Sequence, residues 1–75
     1  MVHEEELSIV AMHRICKKAG AERVSGSASV KLAKILDGVG VKIGKEALDY
    51  AMHAGRRTVK GRDIKIAAEK IMNRR

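Results

Sequence analysis

Proline, phenylalanine and tryptophan are all absent from these 75 residues, and Tyr50 is the sole aromatic side chain. Whatever core forms must therefore be built from aliphatic groups. Chains below roughly 70–80 residues rarely gain more than ~3–5 kcal/mol from their own core, and usually rely on disulfides, a metal or a second chain. Cys16 has no second cysteine to pair with, which excludes an intramolecular disulfide. His3, His13, Cys16 and His53 do not have the spacing of a metal site, and the His13–Cys16 pair reads more simply as a small buried thiol beside a histidine. No metal or cofactor is expected. Packing shared with another copy is what remains. No linker-like or low-complexity run divides the chain, so residues 1–75 read as a single domain. No apolar stretch reaches the 18 residues of a membrane span. The opening Met1-Val-His-Glu-Glu-Glu is acidic where a secretory signal would be basic, so a soluble intracellular protein is expected.

Charge of one sign is in surplus and unevenly placed. The formal net charge is +7. Residues 1–37 carry six Lys and Arg against five Asp and Glu, while residues 38–75 carry ten against four. Such asymmetry points to a polyanionic partner, nucleic acid ahead of an anionic membrane surface.

Gly and Ser clusters divide the chain into three helical segments. The first is expected from about Ser8 to Ala19, with Ser8 as N-cap and Leu7 and Met12 as a hydrophobic staple. Ile9, Met12, Cys16 and Ala19 share a face, with Ile15 beside them. Lys17 and Lys18 suit the negative end of the helix dipole, and Gly20 supplies the stop. Residues 1–6 are expected to be a disordered tail. In the following connector Ser25 and Ser27 are both possible caps, with Ser25 preferred.

The second segment is the informative one. Ala28, Leu32, Ile35, Leu36, Val39, Ile43, Ala47, Tyr50 and Ala51 keep a three-four spacing from residue 26 to about 54. That predicts a helix of roughly 42 Å at ~1.5 Å per residue. Two short neighbours cannot cover such a stripe, so a second chain is implied. Gly38, Gly40 and Gly44 lie inside it at up to ~1 kcal/mol each relative to Ala. Close approach at a helix crossing, chiefly at Gly40, is preferred over a weakened or kinked centre. A third helix is expected from Gly61 to Asn73, with Ile64, Ala67, Ala68, Ile71 and Met72 on its apolar face and Asp63 in its favourable first turn. The predicted fold class is all-α, short helix, long helix, short helix, joined by two basic loops.

Ala19-Gly-Ala-Glu-Arg-Val-Ser, Leu32-Ala-Lys-Ile-Leu and His53-Ala-Gly-Arg-Arg-Thr-Val-Lys, followed by Asp63-Ile, resemble the archaeal histones. The likeness runs without gaps from about Glu6 to Met72. It implies a histone fold in an intertwined head-to-tail homodimer, or a dimer with a histone paralogue, whose long helices cross near Gly40. Each protomer's first loop, at Arg23-Val24, then lies beside the partner's second loop, at Thr58-Val59. The function it implies is sequence-tolerant binding, wrapping and compaction of double-stranded DNA, in the cytoplasm and associated with the chromosome.

The resemblance also implies roles for particular residues. Arg23 matches an arginine that relatives insert into the minor groove, where a compressed groove concentrates negative potential. Arg57, Thr58 and Lys60 match contacts to phosphates, which position DNA without reading sequence. Arg14 and Lys17 match further backbone contacts, and Ser25 adds a helix cap whose free amides face a phosphate. Arg56 and Asp63 match an ion pair that braces the second loop against the third helix. Tyr50, His53 and Asp63 match positions where two dimers meet to form a tetramer. Departures from the family pattern also bear on assembly. Lys34 and Lys65 would bring like charges together between stacked turns, Gly38 replaces an acid, and Met52 stands where an arginine is common. Dimers and limited wrapping are expected rather than long rods.

Three other readings compete. A helix-turn-helix regulator, with Thr58-Val-Lys-Gly-Arg-Asp-Ile opening a recognition helix, conflicts with the unbroken 28-residue segment. A histone-fold module indifferent to DNA would share the layout, and Arg23, Arg57 and Lys60 argue against it. A membrane-surface helix would need bulky Trp, Phe and Leu that are scarce here. No phosphate-binding glycine loop or nucleophile constellation is present, so neither an enzyme nor a small-molecule substrate is expected.

Overall fold

Hydrogen-bonded caps and glycine stops place the helix ends in the computed structural model, which describes residues 2–73, with side chains from residue 9 onward. Helix α1 spans Val2–Lys18, α2 spans Gly26–His53 and α3 spans Gly61–Met72. Among the described residues there is no strand. The all-α, short-long-short order is the one the apolar spacing predicts, and the bounds of α2 and α3 fall within a residue of those expected.

The start of α1 differs. The helix begins at Val2, so Ser8 lies inside it and is not its N-cap, and residues 2–6 are helical where a disordered tail was expected. Physically, Glu4, Glu5 and Glu6 are good helix formers, and acids suit the positive end of the dipole. A serine ahead of an apolar run is only a local signal, and the acidic turn before it outweighs it. The expected Leu7–Met12 staple involves a side chain outside the described residues.

Two helices end the same way. At the end of α1 the Gly20 amide donates to the Lys17 carbonyl (3.0 Å) and the Ala21 amide to that of Cys16 (3.2 Å). At the end of α2 the Gly55 amide donates to Met52 (2.9 Å) and the Arg56 amide to Ala51 (2.9 Å). Both are Schellman motifs. They need a residue with positive φ, and Gly20 at 110° and Gly55 at 76° supply it. The start of α2 is settled by Ser25. Its Oγ accepts the Ala28 amide at 3.1 Å, while its carbonyl accepts the amide of Ser29. Ser27 Oγ instead lies 3.2 Å from Ser25 Oγ, already within the first turn.

The chain groups into two compact units divided between Asp37 and Gly38. The N-terminal unit holds α1 and the first part of α2. Ile9, Met12 and Cys16 are half-buried on one face of α1, as their spacing predicts, Ala19 is exposed, and Ser29 on α2 is fully buried. The C-terminal unit holds the rest of α2 and α3. There Ala47, Ala51 and Ala67 have no exposed surface, and Lys70 Nζ on α3 donates to Glu46 Oε2 on α2 at 2.8 Å. Small residues at these positions let two backbones approach.

Part of the apolar stripe predicted for α2 remains uncovered, with Ile35 55% and Leu36 42% exposed, and Ile64 on the predicted face of α3 is 41% exposed. Among the described residues, a methyl group placed on Gly38, Gly40 or Gly44 would meet nothing within 4 Å.

The Ser25 cap carries the first prediction. Ser25→Ala should lower unfolding free energy by ~1 kcal/mol in a denaturant titration. Ser27→Ala should cost less, and an equal or larger loss there would contradict the assignment of the cap.

Candidate nucleic-acid interface

The second connector, residues 54–60, is organised by one carboxylate. Arg56 leaves the glycine turn at Gly55, and its guanidinium folds back toward α3. Arg56 Nη1 donates to Asp63 Oδ2 at 2.9 Å and Nη2 to Oδ1 at 3.1 Å, a two-pronged ion pair. Nη1 also donates to the Thr58 carbonyl at 2.9 Å. Asp63 Oδ2 accepts the backbone amide of Lys60 at 2.8 Å. Lys60 is the N-cap of α3, with extended backbone (φ −108°, ψ 166°). An ammonium cannot accept an amide, so the cap is made by the carboxylate of the third helical residue, Asp63, reaching back to the N-cap amide of Lys60. That is half of a capping box.

Asp63 is 3% exposed and Arg56 half-buried. The Arg56 hydrogen bonds hold the Asp63 carboxyl down at about 2, with the Lys60 amide and the charges of Arg56 and Arg62 acting in the same direction and burial opposing them. Arg56 is correspondingly raised by the Asp63 hydrogen bond. Planar guanidinium against carboxylate is the geometry that suits a fixed brace. The arrangement is that of a loop staple, with Arg56 turned inward. Arg57, Thr58 and Lys60 are left exposed around it.

In the N-terminal unit Arg14 is exposed on α1 and Arg23 is exposed in the first loop, while Val24 beside it is half-buried. Lys17, at the end of α1, is exposed and donates to the Glu22 carbonyl. Its ammonium therefore ties the helix end to the loop while keeping two further donors. Ser25 Oγ is spent on its cap. Near the end of α2, Tyr50 is half-buried and His53 is exposed. His53 Nδ1 lies 2.8 Å from the Asp49 carbonyl and donates to it.

Sequence reasoning alone missed three contacts. The Lys60 amide to Asp63 bond went unseen because a Lys-x-x-Asp sequence lacks the Ser or Thr of a full capping box. The Lys17 to Glu22 contact runs to a backbone carbonyl, which no side-chain pattern reports. The Glu46–Lys70 pair joins residues 24 positions apart, one on α2 and one on α3. That bond raises the Lys70 ammonium, and Tyr50 and Asp49 add to it. Among the described residues no group of three His, Cys, Asp or Glu is placed to hold a metal ion, and no helix is long and apolar enough to cross a membrane.

Residues 5–68 match the family described as histone-like transcription factor (CBF/NF-Y) and archaeal histone. The chain belongs to that family. It is 45% identical over 64 residues to a subunit of the archaeal histone HAN1 of Thermococcus zilligii, covering 85% of this chain and 96% of that protein. It is 44% identical over 62 residues to probable archaeal histone 3 of Methanocaldococcus jannaschii, covering 83% and 92%. The three helices are accordingly those of a histone fold. Both histone loops lie within the matched region, so the Arg56–Asp63 brace and the exposed cations around it sit inside the part that is shared.

The brace predicts a particular acid response. A depressed folded-state value contributes stability above the ordinary carboxylate value of 3.8, and that contribution disappears as pH falls from there toward about 2. Asp63→Asn should be less stable than the parent at pH 7 and should lose less further stability between pH 4 and 2, measured by urea unfolding at each pH. Parallel profiles for the two proteins would contradict the brace.

Proposed function

We propose that this chain is an archaeal-type histone that works as a dimer, binds duplex DNA through its backbone, and bends it around the protein. The observation that carries this reading is the family match across both loops, with the loop cations Arg23, Arg57 and Lys60 at the surface while Arg56 is withdrawn into its ion pair. Exposed guanidinium, ammonium and hydroxyl donors grip phosphates without reading sequence. Arg14 and Lys17 extend that surface along α1, and Arg23 enters the minor groove. The free amides beside the Ser25 cap face a phosphate.

The dimer follows from what the single chain leaves bare. Burying a Leu or Ile side chain is worth ~1.5–3 kcal/mol, and the fully buried hydrophobics here are alanines. A second chain running head to tail would cover Ile35, Leu36 and their neighbours on α2. It would set Arg23 and Val24 beside the partner's Thr58 and Val59. The open glycines near Gly40 leave room for the two long helices to cross. The partner is another copy or a paralogue; the Thermococcus zilligii relative is itself named as one subunit of a histone. Dimers would pair further through Tyr50 and His53. Asp63, already buried and bound, would contribute at the edge of that contact. This function needs no cofactor, small-molecule substrate or catalytic group, and it places the protein with the chromosome.

Electrostatic binding has a measurable signature. If a dimer neutralises about six phosphates, log K should fall against log salt with a slope near −5 on any long duplex. A slope near zero would overturn the reading in favour of a pairing module indifferent to DNA. Arg23→Ala should weaken compaction of long DNA while leaving the thermal midpoint of the free protein unchanged. Unaltered compaction would remove Arg23 as the groove anchor.

A further inference from the structure

Between Ala54 and Ala68 the chain carries Arg56, Arg57, Lys60, Arg62 and Lys65, and its sole acid is Asp63. That acid is buried and fully occupied by Arg56 and the Lys60 amide. The remaining four cations are exposed, and among the described residues none of them is in an ion pair. Arg62 is the least expected of the four. It is the second residue of α3, where the helix dipole disfavours a cation. One turn away in either direction stand Thr58 and Val59, and Lys65 and Ile66, so no carboxylate is placed to pair with it. Its charge is felt by Asp63, but that carboxylate offers it no hydrogen bond. Among the described residues this charge therefore has no ion-pair partner, and an anion from outside is what would balance it.

We propose that Arg62 is a further contact to duplex DNA, donating from the first turn of α3 to a backbone phosphate next to those held by the second loop. The basic row carries the inference: Arg57 and Lys60 lead into Arg62 and Lys65 along the start of α3, and an extended row fits a chain of phosphates better than a single small anion. The proposal rests on the DNA-binding reading above and deepens it. It assigns a phosphate contact to a residue outside both loops. The Asp63 brace has a part in this, because it fixes the first turn of α3 against the loop and so fixes where Arg62 projects.

The test is a salt titration of wild type, Arg62→Gln and Arg62→Lys on one long mixed-sequence duplex, with thermal unfolding of each protein without DNA. Losing one phosphate contact per chain should make the Arg62→Gln slope shallower by ~2 per dimer. Arg62→Lys should keep the wild-type slope. The thermal midpoint of Arg62→Gln should be unchanged or higher, since a repulsion is removed. A steep wild-type slope that Arg62→Gln leaves intact would overturn the Arg62 contact alone. A shallower slope accompanied by a lower midpoint and no rescue by lysine would assign Arg62 a structural role instead. A wild-type slope near zero would overturn both this contact and the reading beneath it.

Discussion

The Asp63 carboxylate is the point on which the second loop depends. It accepts both arms of Arg56 and the amide of Lys60, and Arg56 in turn holds the Thr58 carbonyl. One side chain thus closes the turn after α2, caps α3 and sets the path of the residues between. The ion-paired residues stand seven positions apart, so the loop they close is short and is pinned at both ends. A phosphate-binding loop gains from stiffness because less freedom is lost when the anion arrives. Burial of Asp63 also keeps its negative charge away from the surface on which Arg57, Lys60 and Arg62 stand. The same buried acid would therefore stiffen the loop and leave its outward face uniformly positive.

The second constraint is the shortage of large side chains to bury. With no Phe or Trp, and with alanines as the fully covered hydrophobics among the described residues, the chain leaves several branched aliphatic side chains exposed. Ala47 and Ala51 on α2 and Ala67 on α3 are fully covered but contribute little apolar area. The dimer proposed above would use those larger residues. The shortage also explains why the local devices are so complete, with two Schellman turns, a serine cap and a stapled loop. Helix ends have to be defined locally when the core of a single chain cannot define them.

Most of this organisation could be read from residue order. The three-four spacing from Ala28 to Ala51 sets the length of α2, Gly20 marks the end of α1, and the family resemblance implies the Arg56–Asp63 pair that the structure contains. Local signals were less dependable where two of them competed. Ser8 looked like a cap, yet the acidic residues before it extend α1 to Val2. Contacts to backbone atoms were invisible for a simple reason: Lys17 and Asp63 engage a carbonyl and an amide, which every residue here carries. The uncompensated charge of Arg62 was present in the sequence from the start. Its meaning depended on knowing that Asp63, its immediate neighbour, was already committed.

The central claim is that dimers of this chain bend duplex DNA around themselves, and nuclease digestion of the protein assembled on long DNA tests it most directly. Four histone dimers wrap ~146 base pairs in the nucleosome, so each dimer here should protect ~30–40 base pairs. Discrete protected lengths are predicted in steps of that size, ending near two steps if assembly stops at a tetramer. An unprotected smear from a preparation that binds DNA would contradict the claim.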